Sequence, residues 1–150
     1  DGGVSRRVLG YFLTWMAERK SKVFVVATAN VVTELPAELL RKGRFDETFF
    51  VDLPNPNARA EIFALHLARR KLAPADFDLA ALAAASAGFS GAEIEQAVVS
   101  TLYDCAETGT RPDQAAVLAA LAATRPLSVL MHEQVAALRQ WAGGRCVPAD

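Results

Sequence analysis

The segment from Lys22 to Asp52 constrains this chain more than any other. It opens on Val23-Phe24-Val25-Val26, an apolar, mostly β-branched run with polar flanks. Such a run reads as a buried strand of a parallel sheet, covered on both faces. It ends at Ala27-Thr28-Ala29-Asn30, which sets a side-chain amide at the strand's carboxyl end. In open α/β sheets that edge is where ligands bind. Pro36 then introduces a short helix over 37–40, and Arg41-Lys42-Gly43-Arg44-Phe45-Asp46 follows. A second strand over 48–53 is closed by Pro54. Strand, amide, short helix, two arginines about a glycine, strand: the order suits a chain that handles phosphate.

Each of these residues carries two readings. Asn30 alone is a turn residue whose amide bonds local backbone; facing a phosphate and its attacking water, the same amide offers both a donor and an acceptor. Arg41 and Arg44 complement the dipole at the end of the short helix, or they present planar donor forks matched to phosphate oxygens. Gly43 between them permits a turn that a side chain resists. Asp46 is placed to hold one guanidinium, and Lys42 faces solvent.

The remainder reads as helices. Ser5 caps a helix to about Arg19, with Val8, Leu9, Phe12, Leu13, Trp15 and Met16 on one broad apolar face against the sheet. Arg6 and Arg7 form a solvated pair. Pro54-Asn55-Pro56 is a stiff linker and marks a boundary, giving a first domain over 1–55 and a helical domain over 56–150. Asn57 caps a helix over 58–71, on which Ile62 and His66 share a face one turn apart. A lone helical histidine is ordinarily a surface or half-buried polar residue. Arg69, Arg70 and Lys71 suit the last turn of that helix. Asp76-Phe77-Asp78 starts a helix over 79–86 that Gly88 ends. Ser90-Gly91-Ala92-Glu93 is a capping box opening a long helix to about Ala106, and donors at such an N-terminus favour negative charge. Glu93, Glu95 and Gln96 are exposed on it. Pro112 opens a helix ending near Ala123, and Ser128 caps an amphipathic one over 128–142 whose apolar side is Leu130, Val135, Leu138 and Trp141. That last helix either closes the bundle or docks on another subunit. Residues 143–150 form a frayed tail.

Taken together, these motifs resemble the AAA ATPases in order and spacing from about Val8 to about Thr108. Phe12-Leu13-Thr14-Trp15-Met16 and Pro126-Leu127-Ser128 are most similar to the stand-alone members related to the hypothetical chloroplast reading frame ATPases. The resemblance implies an α/β fold: the C-terminal part of a P-loop AAA core, with a partial parallel sheet, followed by an α-helical lid bundle. It makes Asn30 the sensor 1 amide and Arg41 and Arg44 arginine fingers that act on a neighbouring subunit's nucleotide. It sets Ile62 against adenine, has His66 hydrogen-bond the ribose or base, and brings the nucleotide close to Gly91 and Ala92. Ala92 stands where many wider relatives carry a sensor 2 arginine.

The 150 residues contain no GxxxxGK[ST] loop and no apolar strand ending in paired carboxylates for Mg²⁺. The chain therefore reads as the C-terminal fragment of a longer ATPase, unable to hydrolyse ATP alone. ATP and Mg²⁺ are cofactors of the intact parent, with none held tightly by the fragment and no metal site of its own. The parent forms a homo-oligomeric ring that remodels a protein client; in the fragment, open strand edges favour a strand-paired or swapped dimer. A net charge of −1 argues against a nucleic-acid partner, and no apolar run approaches a membrane span. Cys105 and Cys146 lack metal-ligand spacing and read as free thiols in a reducing cytoplasm. The rival reading is a nucleotide-independent assembly or adaptor module built on the lid. A helical DNA-binding module is a third, disfavoured by the absence of a basic helix face.

Overall fold

The computed structural model describes residues 2–32, 35–39, 41 and 43–149, and the side chains of residues from Arg7 onward among them. The fold is α/β, mostly helical with a small parallel two-stranded sheet. It divides into two units: the N-terminal segment through Phe50 together with Ala142–Ala149, and the segment Val51–Trp141.

In the first unit, helix α1 spans Gly2–Glu18, so Ser5 lies inside it rather than capping it. Its expected apolar face is only partly covered: Leu9, Phe12, Leu13 and Met16 are half-buried, whereas Val8 and Trp15 are exposed. Phe12 stacks on Trp15 at 5.9 Å, and the Arg19 guanidinium sits 5.6 Å from the Trp15 ring centre. The run Val23–Val26 forms no strand; it has no regular structure, and Phe24 is 92% exposed. A strand is a paired object, and among the described residues this run makes no backbone pairing. Strand β1 is Phe49–Phe50, the centre of the expected 48–53 strand, and its partner is β2, Val147–Pro148. The tail expected to fray is therefore the sheet's second strand. The ladder runs from Val147 N–H to Thr48 O at 2.9 Å and from Ala149 N–H to Phe50 O at 3.1 Å. Pro148, with no N–H to give, falls between the two donors and faces the open edge. The short helix is a turn over residues 37–39, with Leu40 outside the described residues, as are Lys42 and the Arg6 side chain.

The second unit holds the core. Helix α2 (Pro56–Arg69) is capped by Asn55, whose side chain accepts the Ala58 N–H at 3.0 Å. The cap falls two residues before Asn57 because Pro56, with preset φ and no N–H, suits the first helical position. A 3₁₀ turn (Pro74–Asp76) leads to α3 (Leu79–Ala85), capped by Asp78. Helix α4 (Gly91–Thr108) opens on the expected Ser90/Glu93 capping box. Helix α5 (Gln114–Ala123) is capped by Asp113, one residue past Pro112. The segment expected as a single final helix is two: α6 (Leu127–Leu130) and α7 (His132–Ala142), with Met131 between them and Ser128 inside α6. Phe63 and Leu67 of α2, Leu82 of α3, Ile94 and Val98 of α4, and Val117 and Leu121 of α5 interlock as one apolar cluster with Phe77 and Phe89.

Candidate functional site

Helix α2 presents two kinds of residue to the bundle. Arg59, Phe63, His66 and Leu67 are its buried set, spaced as one helical face. Ile62 lies beside that face, half-buried, one turn before His66. The packing of α2 on α4 carries Ile62 to the first turn of α4: a methyl built on Gly91 would sit 3.6 Å from Ile62 Cδ1, ordinary van der Waals contact. Ala92 is exposed on the same turn. Ile62, His66, Gly91 and Ala92 thus come from two helices whose contact is fixed by the apolar core beneath them.

His66 is 8% exposed, and its ring is held from both helices. Nδ1 lies 3.3 Å from Arg70 Nη1 and 3.4 Å from Glu95 Oε1. Arg70 closes the triangle by donating from Nη2 to Glu95 Oε1 at 2.8 Å. That hydrogen bond holds the Glu95 carboxyl below the usual glutamate range, against slight desolvation. Sequence reasoning gave Arg70 only a helix-dipole role and left Glu95 at the surface. The readable signal was the spacing of Arg70 four residues after His66, which sets both on one face.

The α4 N-terminus is organised around Glu93. Its carboxylate accepts from the Ser90 N–H at 2.8 Å and the Ser90 hydroxyl at 2.7 Å, and Ser90 Oγ accepts the Glu93 N–H in return. It also accepts the Leu127 N–H at 2.6 Å, tying the start of α6 to this turn. Burial pushes this carboxyl up, but the donors from Ser90 and Leu127 outweigh it and leave it below the ordinary range.

Asn30, Arg41 and Arg44 belong to the first unit. Asn30 is exposed at a bend that follows the irregular Val23–Val26 run. Arg41 and Arg44 are the first and last residues of a turn closed by Arg44 N–H to Arg41 O at 3.3 Å, with Gly43 at φ +93° in the third position. Arg41 is exposed, while Arg44 is half-buried and reaches the Leu13 carbonyl at 3.4 Å. Asp46 is exposed and, among the described residues, pairs with neither guanidinium.

Residues 1–53 match the family described as "ATPase family associated with various cellular activities (AAA)". The chain is 44% identical over 144 residues to an uncharacterized AAA domain-containing protein, ycf46, of Pyropia yezoensis, covering 95% of this chain and 29% of that protein. The same-named protein of Guillardia theta is 41% identical over 95% of this chain and 28% of its own length. The proteasome-activating nucleotidase of Aeropyrum pernix is 39% identical over 59% of this chain and 22% of its own. The chain therefore spans under a third of the length of these relatives. No solved structure matches it.

Proposed function

This chain is homologous to the AAA ATPases, its first 53 residues matching that family directly, and from that relationship we propose that it carries the distal half of an ATP-handling module. In this reading the Asn30 amide faces the γ-phosphate and orients the attacking water. Arg41 and Arg44 extend to the nucleotide of a neighbouring subunit, where a guanidinium supplied in trans is worth roughly a thousandfold or more in rate. Ile62 packs on the base, His66 hydrogen-bonds the nucleoside, and Gly91 and Ala92 leave the first turn of α4 open to a close approach. The assembled protein is a ring that spends ATP to remodel a protein client.

The observation that carries the reading is the juncture of α2 and α4, where an apolar side chain, a held imidazole and a helix first turn of small residues meet. That donor set fits the nucleoside end of ATP. It does not fit Mg²⁺: among the described residues no three His, Cys, Asp or Glu side chains come together to hold an ion. In this reading phosphate cradling and metal coordination fall to the other half of that module.

Two measurements test this. ADP titrated into ¹⁵N-labelled chain is expected to move the amides of Ile62, His66 and Gly91; no movement at all three overturns the lid assignment. With ATP and Mg²⁺ the chain is expected to give no turnover above a protein-free blank, and metal-dependent hydrolysis by these residues alone overturns the division of labour.

A further inference from the structure

Among the described residues, both polar side-chain neighbours of the His66 ring fall on one nitrogen, Nδ1. Arg70 approaches it at 3.3 Å and is itself fixed, with Nη1 also donating to the His66 carbonyl at 3.2 Å and Nη2 to Glu95 at 2.8 Å. A guanidinium has only donors. A proton on Nδ1 would face an Arg70 N–H, whereas the Nδ1 lone pair accepts it. The opposing pull, from Nδ1–H to Glu95 Oε1 at 3.4 Å, is longer, and that oxygen is already engaged by a shorter, charge-assisted bond. No fully enclosed side-chain nitrogen or oxygen among the described residues lacks a partner. The uncommitted Nε2 is accordingly not fully enclosed.

We infer that Arg70 and Glu95 are positioning residues that hold His66 as its Nε2–H tautomer, so that the lid offers the nucleoside a hydrogen-bond donor. The matching ligand atom is an acceptor: a purine ring nitrogen or a ribose oxygen. Glu95 acts one step back, by anchoring the guanidinium. This rests on the nucleotide reading above, and its ligand arm is tested separately from its geometry.

The geometry is read on the full 150-residue chain from the two ring ¹⁵N shifts of His66 at about pH 8, where an ordinary imidazole is uncharged. His132→Gln assigns the second histidine. The proton is expected on Nε2 in the wild-type chain, on both nitrogens in Arg70→Met, and again on Nε2 in Arg70→Lys, which keeps a donor. A wild-type ring protonated on Nδ1 overturns the inference without any variant, as does a folded Arg70→Met chain whose ring is unchanged. In the ligand arm, adenosine monophosphate is expected to shift the Nε2–H signal and to bind Arg70→Met about 3- to 10-fold more weakly, the loss of one oriented hydrogen bond. Equal affinity overturns the positioning role. An Nε2–H ring that the nucleotide leaves unmoved overturns the nucleoside assignment, and with it the lid part of the proposed function, whatever the tautomer.

Discussion

Asp52 and Arg139, 87 residues apart, form a two-pronged ion pair: Arg139 Nε donates to Asp52 Oδ2 at 2.8 Å and Nη2 to Oδ1 at 2.9 Å. Asp52 follows β1 and Arg139 lies in the last turn of α7, so the pair joins the linker to the final helix within one unit.

The pair sets an acid dependence. The Arg139 hydrogen bond holds the Asp52 carboxyl below its ordinary value, opposed by partial burial and aided by the Leu53 N–H. A carboxyl depressed in the folded chain stabilises it fully above the ordinary aspartate pKa, about 3.9. That contribution is lost as pH falls through the lower folded value. Both side chains are partly exposed, so Asp52→Asn should cost only about 0.5 kcal/mol at pH 7. Urea midpoints at pH 7 and in acid should show the wild-type advantage over Asp52→Asn shrinking as pH drops below that range.

Removing the Glu93 carboxylate should do more, because three donors converge on it. Glu93→Ala breaks one half of the capping box and frees the Leu127 N–H, at a cost of about 1–2 kcal/mol. Hydrogen exchange separates the two effects. The Leu127 amide should lose protection while amides in the middle of α4 keep theirs.

Gly88 sits at φ +82°, and a methyl there would meet Ser128 Oγ at 2.6 Å. Gly88→Ala therefore combines a left-handed backbone penalty, about 1 kcal/mol, with a steric conflict. Adding Ser128→Ala removes the conflict and leaves the backbone term, since Ser128 Cβ stands off at 3.7 Å. Denaturation of both single variants and the pair should show the double recovering part of the loss.

What could be read from sequence was local. The Ser90/Glu93 box is a short pattern whose partners lie within three residues and it formed as read, and the helix start at Asp76-Phe77-Asp78 is realised with Asp78 as its cap. The Asn55 cap was missed by two positions because a second asparagine followed the proline and competed for the same role. The β-type run at Val23–Val26 was legible as a pattern, but pairing depends on neighbours the run does not encode. Conversely, Val147–Pro148 is too short to register as a strand, yet it pairs with residues nearly a hundred positions earlier. On α2, Ile62 and His66 were legible as sharing one face a turn apart. The polar contacts of His66 were not, because Glu95 lies 25 residues beyond Arg70 and is brought in by helix packing.

Arg59 shows how far a buried cation can be structural. It is 8% exposed, with Nε donating to Ala83 O at 2.9 Å and Nη1 to Pro54 O at 2.8 Å, and among the described residues no carboxylate pairs with it. Ala83 lies among the last residues of α3, where carbonyls lack helical donors and the dipole favours positive charge. One guanidinium thus completes a helix end and pins the linker to the bundle. Arg59→Met keeps much of the apolar stem but strands the Pro54 carbonyl and leaves Ala83 O only the Ser86 hydroxyl at 3.2 Å, at a cost of about 1–3 kcal/mol. Arg59→Lys should recover little, since one ammonium on a flexible stem cannot reproduce a planar fork serving two acceptors. Thermal unfolding of the three chains should rank wild type well above both variants; a lysine chain as stable as wild type would show that charge alone, and not the fork, secures this junction.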